Sequence, residues 1–208
     1  MRLSRTHFVV VLASFSTLSQ ASYELLLAVD TTSHLVHRFD PVSGLSLGSF
    51  GSGYLSGPAK IALDTTSGIA YITDYTLGAV QKWNYNTGAY LGDLTTSVTS
   101  VWGIARLNNG NIAVADGVNV RTFNPAGTQV GSFVAGGYGL GTDGTNLFVG
   151  SFGGITKYSS AGTSLGGITV PSRNPLEFQV RGGIAYAYGQ SYGNKFGQFN
   201  PATMTGYS

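Results

Sequence analysis

GPAKIALDTTSGIAYITDYTLGAVQKWNYNTGAYLG, residues 57–92, decides the fold, because the chain after residue 21 reads as imperfect copies of it. An aromatic followed by a turn cluster recurs as HRFDPVSGLSLGSF, QKWNYNTGAYLGDL, RTFNPAGTQVGSF, TKYSSAGTSLGGI and GQFNPATMTGYS. The aromatics are Phe39, Trp83, Phe123, Tyr158 and Phe199, at intervals of 44, 40, 35 and 41 residues. A repeated unit of that length outranks any local reading and is close to that of a four-stranded propeller blade. Upstream of each aromatic lies an apolar run ending at Asp30, Asp74, Asp116, Ser151 or Gly189, and a further run precedes the last four of these. Short runs rich in Val, Ile, Leu, Phe and Tyr, separated by Gly, Asn, Asp, Ser and Thr, are the punctuation of strands and hairpins.

Outward from that stretch, the pattern predicts blades at residues 23–50, 58–94, 101–133, 138–168 and 175–208. The first lacks an innermost strand, and the last would finish with an outer strand over 203–208. The expectation is an all-β chain: a β-propeller of four-stranded blades, about five blades present, forming an incomplete ring of a chain truncated after Ser208. Thirty-one glycines in 208 residues, with 12% aromatic and 10% charged residues, fit a turn-rich globular chain and not a disordered one. The core is expected between adjacent blades.

Residues 1–21 carry Arg2 and Arg5, an apolar run from Phe8 to Phe15, and then Ser19-Gln20-Ala21, a small-x-small cleavage pattern. That order is a secretory signal peptide. The run is far shorter than the roughly 20 residues that span a bilayer, so no membrane span is expected after cleavage, and the protein is expected to be secreted, extracellular or periplasmic, or held at the cell surface. Removing Arg2 and Arg5 from the eleven basic residues leaves nine against nine acidic ones. A neutral chain without clustered Lys or Arg has no electrostatic footprint for nucleic acid. There is no cysteine, which excludes disulfides, thiolate metal sites and a cysteine nucleophile.

PAKIALDTTSGIAYITD and VWGIARLNNGNIAVAD resemble the repeat of NHL-type propellers of the secreted bacterial, six-bladed type. That unit reads loosely as Pro-x-Gly-Ile-Ala-x-Asp, a Gly turn, Ile-Tyr-Val-x-Asp, then an aromatic strand. The resemblance covers nearly all of residues 23–208. Lys60 and Glu177 stand where the pattern has Gly, and Ser151 and Gly189 replace its Asp. Families of this shape include sugar-lactone hydrolases, streptogramin lyases and secreted proteins without known activity, so the fold alone does not choose among functions. The lactonase-like members imply a divalent cation held by carboxylates and amides from different blades. Here Glu177 and Asn174 come from one blade, and the matching positions are Lys60, Gly103 and Gly139, a poor cage for a hard cation.

The resemblance implies that the first strand of each blade lines the axis. Aligning those strands places Ala59, Trp102, Tyr138 and Leu176 at one level and Lys60, Gly103, Gly139 and Glu177 at the next, with Tyr54, Arg173 and Asn174 in the loops leading in. Such a mouth mixes aromatics with a cation, an anion and an amide, and suits a protein or glycan ligand. The alternative is that Trp102 and Tyr138 plug the channel or pack between blades.

Asp30, Asp74 and Asp116 close equivalent strands. Positions on successive blades lie too far apart to share a calcium ion, so each is expected to cap its own turn. His34 and His37 are the only histidines after residue 21. Their spacing on a strand points them to opposite faces, and no nucleophile motif accompanies them. The turns at Asp40-Pro41, Asn124-Pro125 and Asn200-Pro201 are hairpin chemistry. The chain therefore reads as an exported, non-catalytic binding or display scaffold, with no cofactor and no catalytic residues. A metal-dependent hydrolase or lyase and a structural cell-surface or matrix protein are the alternatives.

Overall fold

The computed structural model describes residues 8–13, 25–170, 175–189 and 195–206, and within them every regular element is a strand. The chain divides into two compact units, Met1–Thr99 and Ser100–Ser208. Together they carry the five blades of a β-propeller. Among the described residues no helix is long and apolar enough to cross a membrane.

The first unit holds two blades. Blade one is the antiparallel meander β1 (Phe8–Ala13), β2 (Leu25–Asp30), β3 (Leu35–Phe39) and β4 (Ser46–Phe50). Blade two is β5 (Pro58–Asp64), β6 (Ile69–Asp74), β7 (Ala79–Asn84) and β8 (Ala89–Thr95). Blade one corrects the sequence reading in one respect. Its innermost strand is present, because the apolar run read as the centre of a leader pairs as β1 along the whole of β2. A continuous apolar run of six residues is as suitable for a strand covered on both faces as for a leader, so its composition alone could not separate the two.

The second unit holds three blades. Blade three is β9 (Gly103–Arg106), β10 (Ile112–Ala115), β11 (Asn119–Phe123) and β12 (Gln129–Val134). Blade four is β13 (Gly139–Thr142), β14 (Asn146–Ser151), β15 (Gly154–Ser159) and β16 (Ser164–Thr169), and blade five is β17 (Pro175–Arg181), β18 (Ile184–Gly189) and β19 (Lys195–Phe199). The inner strands β13 and β17 touch in parallel at Leu140 and Glu177, which joins the last two blades into one sheet. Gly141 permits this approach, since a Cβ there would collide with Phe178. Beyond β19 the chain turns back through a single bridge between Asn200 and Thr205. The outer strand expected over 203–208 is thus represented, among the described residues, by that bridge alone.

Burial follows position in the blade. All four residues of β10 are buried, whereas the outer strands β12 and β16 contain no buried residue. The cores lie between neighbouring blades: Leu27, Val29 and Val36 of blade one pack with Ile61, Ile72 and Trp83 of blade two. Likewise Val120 and Ala113 of blade three meet Leu140 and Val149 of blade four, and Phe148 of blade four meets Phe178 and Phe199 of blade five.

Two repeated contacts fasten neighbouring blades within each unit. Phe50 and Phe133, each closing a Gly-Ser-Phe segment, stack on the repeat aromatic of the next blade, with ring centroids 5.2 Å apart for Phe50 and Trp83 and 5.0 Å for Phe133 and Tyr158. The same phenylalanines press on a glycine of the next blade's third turn, Gly88 or Gly162; a Cβ on Gly162 would lie 2.5 Å from Phe133 Cγ, and its φ of +89° is glycine territory. The second contact uses the cation before the repeat aromatic. Arg38 Nη1 donates to Asn86 O at 2.5 Å, and Lys157 Nζ donates to Pro201 O at 2.9 Å, in both cases in the third turn of the following blade.

Candidate functional site

The two aromatics singled out on blades three and four occupy structurally equivalent places. Trp102 immediately precedes β9 and its N–H donates to Ala115 O at 2.9 Å; Tyr138 immediately precedes β13 and its N–H donates to Gly150 O at 2.9 Å. Each bond extends the pairing of an inner strand by one residue and fixes the aromatic at the blade's end. The rings meet edge to face, with centroids 5.6 Å apart and an interplanar angle of 83°, a favourable aromatic geometry. Tyr138 also lies against Gly117, where a Cβ would stand 2.9 Å from Tyr138 Cε1. Yet Trp102 and Tyr138 remain 44% and 41% exposed. They are fixed without being covered, which is the first property a binding aromatic needs.

The turns beside them extend the apolar surface. Val118 and Phe152, in the second-to-third-strand turns of blades three and four, are 60% and 82% exposed. Val134 ends β12 opposite Asn119, and the N–H groups of Ala135 and Gly136 both donate to Val118 O. Val134 is therefore held at the same end of blade three as Val118, and it too is exposed. The alignment of first strands found Trp102 and Tyr138 but not Val118, Val134 or Phe152. A lone apolar residue in a turn carries no periodic signal; the clue was that Phe152 lies in the two-residue turn between β14 and β15, where a small or polar residue is usual.

Of the other predicted mouth residues, Tyr54 and Lys60 belong to the first unit, and Glu177 pairs through its strand with Leu140 of β13. Tyr54, in the first unit, has its ring against Tyr90 at 4.6 Å and edge-on to Trp83 at 5.8 Å. Its carbonyl accepts from Gln81 Nε2 at 3.1 Å, and Gln81 Oε1 in turn accepts from Trp83 Nε1 at 3.1 Å. Tyr54 thus belongs to the aromatic cluster that joins blades one and two. Lys60 sits in β5, half-buried, with its backbone N–H on Thr73 Oγ1 at 2.9 Å. Burial pushes its ammonium down to about 8. Glu177 stands in β17 opposite Tyr188, and Arg173 and Asn174 lie outside the described residues.

The aspartates act on their own turns. Asp30 accepts from the N–H groups of Thr32 and Ser33 and from Ser33 Oγ. Asp74 accepts from Thr76 and Leu77, and its second oxygen takes the N–H of Ser56 at 2.7 Å. Asp116 accepts from Val118, from Asn119 at 2.6 Å and from Arg121 Nε at 3.1 Å. Ser33 and the turn N–H groups hold the Asp30 carboxyl below its ordinary value. At Asp116 burial raises the carboxyl, but the bonds from Asn119, Val118 and Arg121 outweigh it and the net shift is downward. Asn84 and Asn200 make the same pair of turn bonds with no charge at all. The two histidines part company: His37 Nε2 stands 3.6 Å from Asp30 Oδ2, and His34 takes a left-handed turn conformation with φ of 60°. Among the described residues no three His, Asp or Glu side chains are grouped so that they could hold a metal ion.

Comparison with known proteins finds no matching protein-family model and no matching curated protein. Solved structures do match. A chain of the nidogen/laminin complex is similar with a TM-score of 0.76 at 16% identity, over 87% of this chain and 73% of that one. A chain of hydrazine synthase from Kuenenia stuttgartiensis is similar with a TM-score of 0.68 at 12% identity, over 85% of this chain and 60% of that one. Likeness at such identities establishes the propeller fold.

Proposed function

We propose that this protein is an exported, non-catalytic scaffold of NHL-like blades that binds a partner protein through the end of the second unit bearing Trp102 and Tyr138. The observation that carries the reading is the edge-to-face aromatic pair, anchored by backbone bonds and still more than two-fifths exposed. Rigid aromatics surrounded by aliphatic side chains are the usual anchors of protein interfaces. Val118 and Val134 supply such surroundings, and Phe152 adds a third exposed aromatic. The likeness to a chain of the nidogen/laminin complex supports a protein as the partner. Export is supported by Arg2, Arg5, the apolar run and Ser19-Gln20-Ala21 in order. Six of the seven described aspartates are engaged by their own turns and Asp93 accepts from the Tyr90 hydroxyl, so these carboxylates already have partners of their own where a lactonase-like reaction would need them to share a cation.

The test is a pair of exported variants, Trp102→Ala and Tyr138→Ala, compared with the parent for retention at the cell surface and for cross-linking to a partner from a photoreactive group at Phe152. Each variant is expected to weaken capture at least about tenfold, the scale of a central interface aromatic, with an unchanged thermal midpoint. Unchanged retention and cross-linking in both variants would sink the reading. Inhibition of capture by simple sugars, but by no protein, would transfer the site to glycan binding.

A further inference from the structure

Phe8–Ala13 holds two positions that one molecule cannot combine after processing. In the sequence it is the apolar centre of a leader whose cleavage pattern, Ser19-Gln20-Ala21, lies between β1 and β2. In the fold it is the innermost strand of blade one, paired with β2 over six residues from Phe8 opposite Asp30 to Ala13 opposite Leu25. Cleavage at Ala21 severs β1 from the chain and leaves the inner edge of β2 unpaired. That edge belongs to a strand whose Leu25, Leu27, Ala28 and Val29 are buried and whose other edge is already taken by β3. A preformed blade with one vacant row of backbone donors and acceptors is a template for strand addition.

We infer that in the exported protein the inner edge of β2 accepts an extended apolar strand from a partner protein, antiparallel to β2 and in the register of β1. This rests on the export reading above. Backbone bonds would supply affinity, and alternate side chains would supply selectivity. The chemistry of the strand follows from the edge. Asp30 is the only ionisable residue of β2, and its carboxylate is engaged by the turn that follows, so nothing along Leu25–Val29 favours a charged partner. FVVVLA, the segment seated there, defines the class: about six uncharged residues, half of them β-branched.

The chain is free of cysteine, so a single engineered thiol reports register. First, the intact mass of exported protein is measured; the expected mass begins just after Ala21, and a chain still carrying Phe8–Ala13 would overturn the inference. Second, exported Ala28→Cys is mixed with lysine-flanked FVVVLA peptides bearing, in place of the first, second or third valine, one cysteine activated as its 2-thiopyridyl disulfide, from which the protein thiolate displaces thiopyridone. The second valine corresponds to Val10, the partner of Ala28. That peptide is expected to form the disulfide at least about tenfold faster than the other two, whose sulfurs would face the opposite side of the sheet. Third, the unmodified peptide is expected to raise the thermal midpoint of the exported protein without the substitution. Register-independent cross-linking, or no shift in midpoint, would overturn the inference. Trp102→Ala should leave all three results unchanged, so failure here and failure of the aromatic face are separately visible.

Discussion

Asp40, Asn124 and Asn200 begin equivalent turns, each followed by proline, and each accepts backbone N–H bonds from the turn it opens. The shared requirement is a short side-chain acceptor, to which the charge of Asp40 adds. Asp40→Asn is accordingly expected to lower the thermal midpoint at neutral pH by less than Asp40→Ala, which removes the acceptor altogether. Lys60 is a different case, because burial alone brings its ammonium down to about 8, whereas an exposed lysine titrates near about 10.4. Between those values the unfolded chain holds a proton that the native chain has released, so the Lys60 contribution to stability rises with pH. Urea melts of the parent and Lys60→Met should therefore show the variant's advantage largest at pH 7 and shrinking as pH approaches 10. A constant difference across that range would mean that the amine is solvated in the native state.

At the level of elements, the fastening of one blade to the next can be measured directly. The contact of Phe133 with Tyr158 predicts a coupling of about 0.5–1.5 kcal/mol in a double-mutant cycle of Phe133→Leu and Tyr158→Leu, read from denaturant unfolding. The strands of blades two, three and four were legible in the sequence to within about two residues, since turn punctuation and repeat spacing agree there. The fastenings were not, because each needs residues from two repeats, and nothing within one repeat says that Gly162 must receive Phe133. β1 was hidden for another reason: six apolar residues behind two arginines satisfy two descriptions at once. Of the candidate site, Trp102 and Tyr138 could be found because they occupy the same place in consecutive copies. Tyr54 was placed from its loop alone, and hydrogen bonding by Gln81 with aromatic contacts to Trp83 and Tyr90 is what holds it.

For the molecule as a whole, charge is sparse and much of the negative part is committed to turns. Asp30, Asp40, Asp116 and Asp143 all have carboxyls below the ordinary value. A carboxyl depressed in the native state contributes stability that is present above its unfolded value, near about 3.9, and is lost as pH falls through the native one. Stability is therefore expected to hold from neutral pH down to about 4 and then to fall, and replacing all four with Asn should flatten that fall in an acid titration followed by circular dichroism. An unchanged acid limb would assign acid sensitivity to other groups. The blade fastenings bear on history as well as stability. Blade four carries halves of two joints in one stretch of coding sequence: Tyr158 and Gly162 receive Phe133 from the blade before, and Lys157 reaches Pro201 in the blade after. A duplicate of that stretch inserted beside its parent would arrive able to receive the phenylalanine of blade three and to reach the turn of blade five, so a gene of this kind could gain or lose such a blade through unequal recombination while keeping its outer joints.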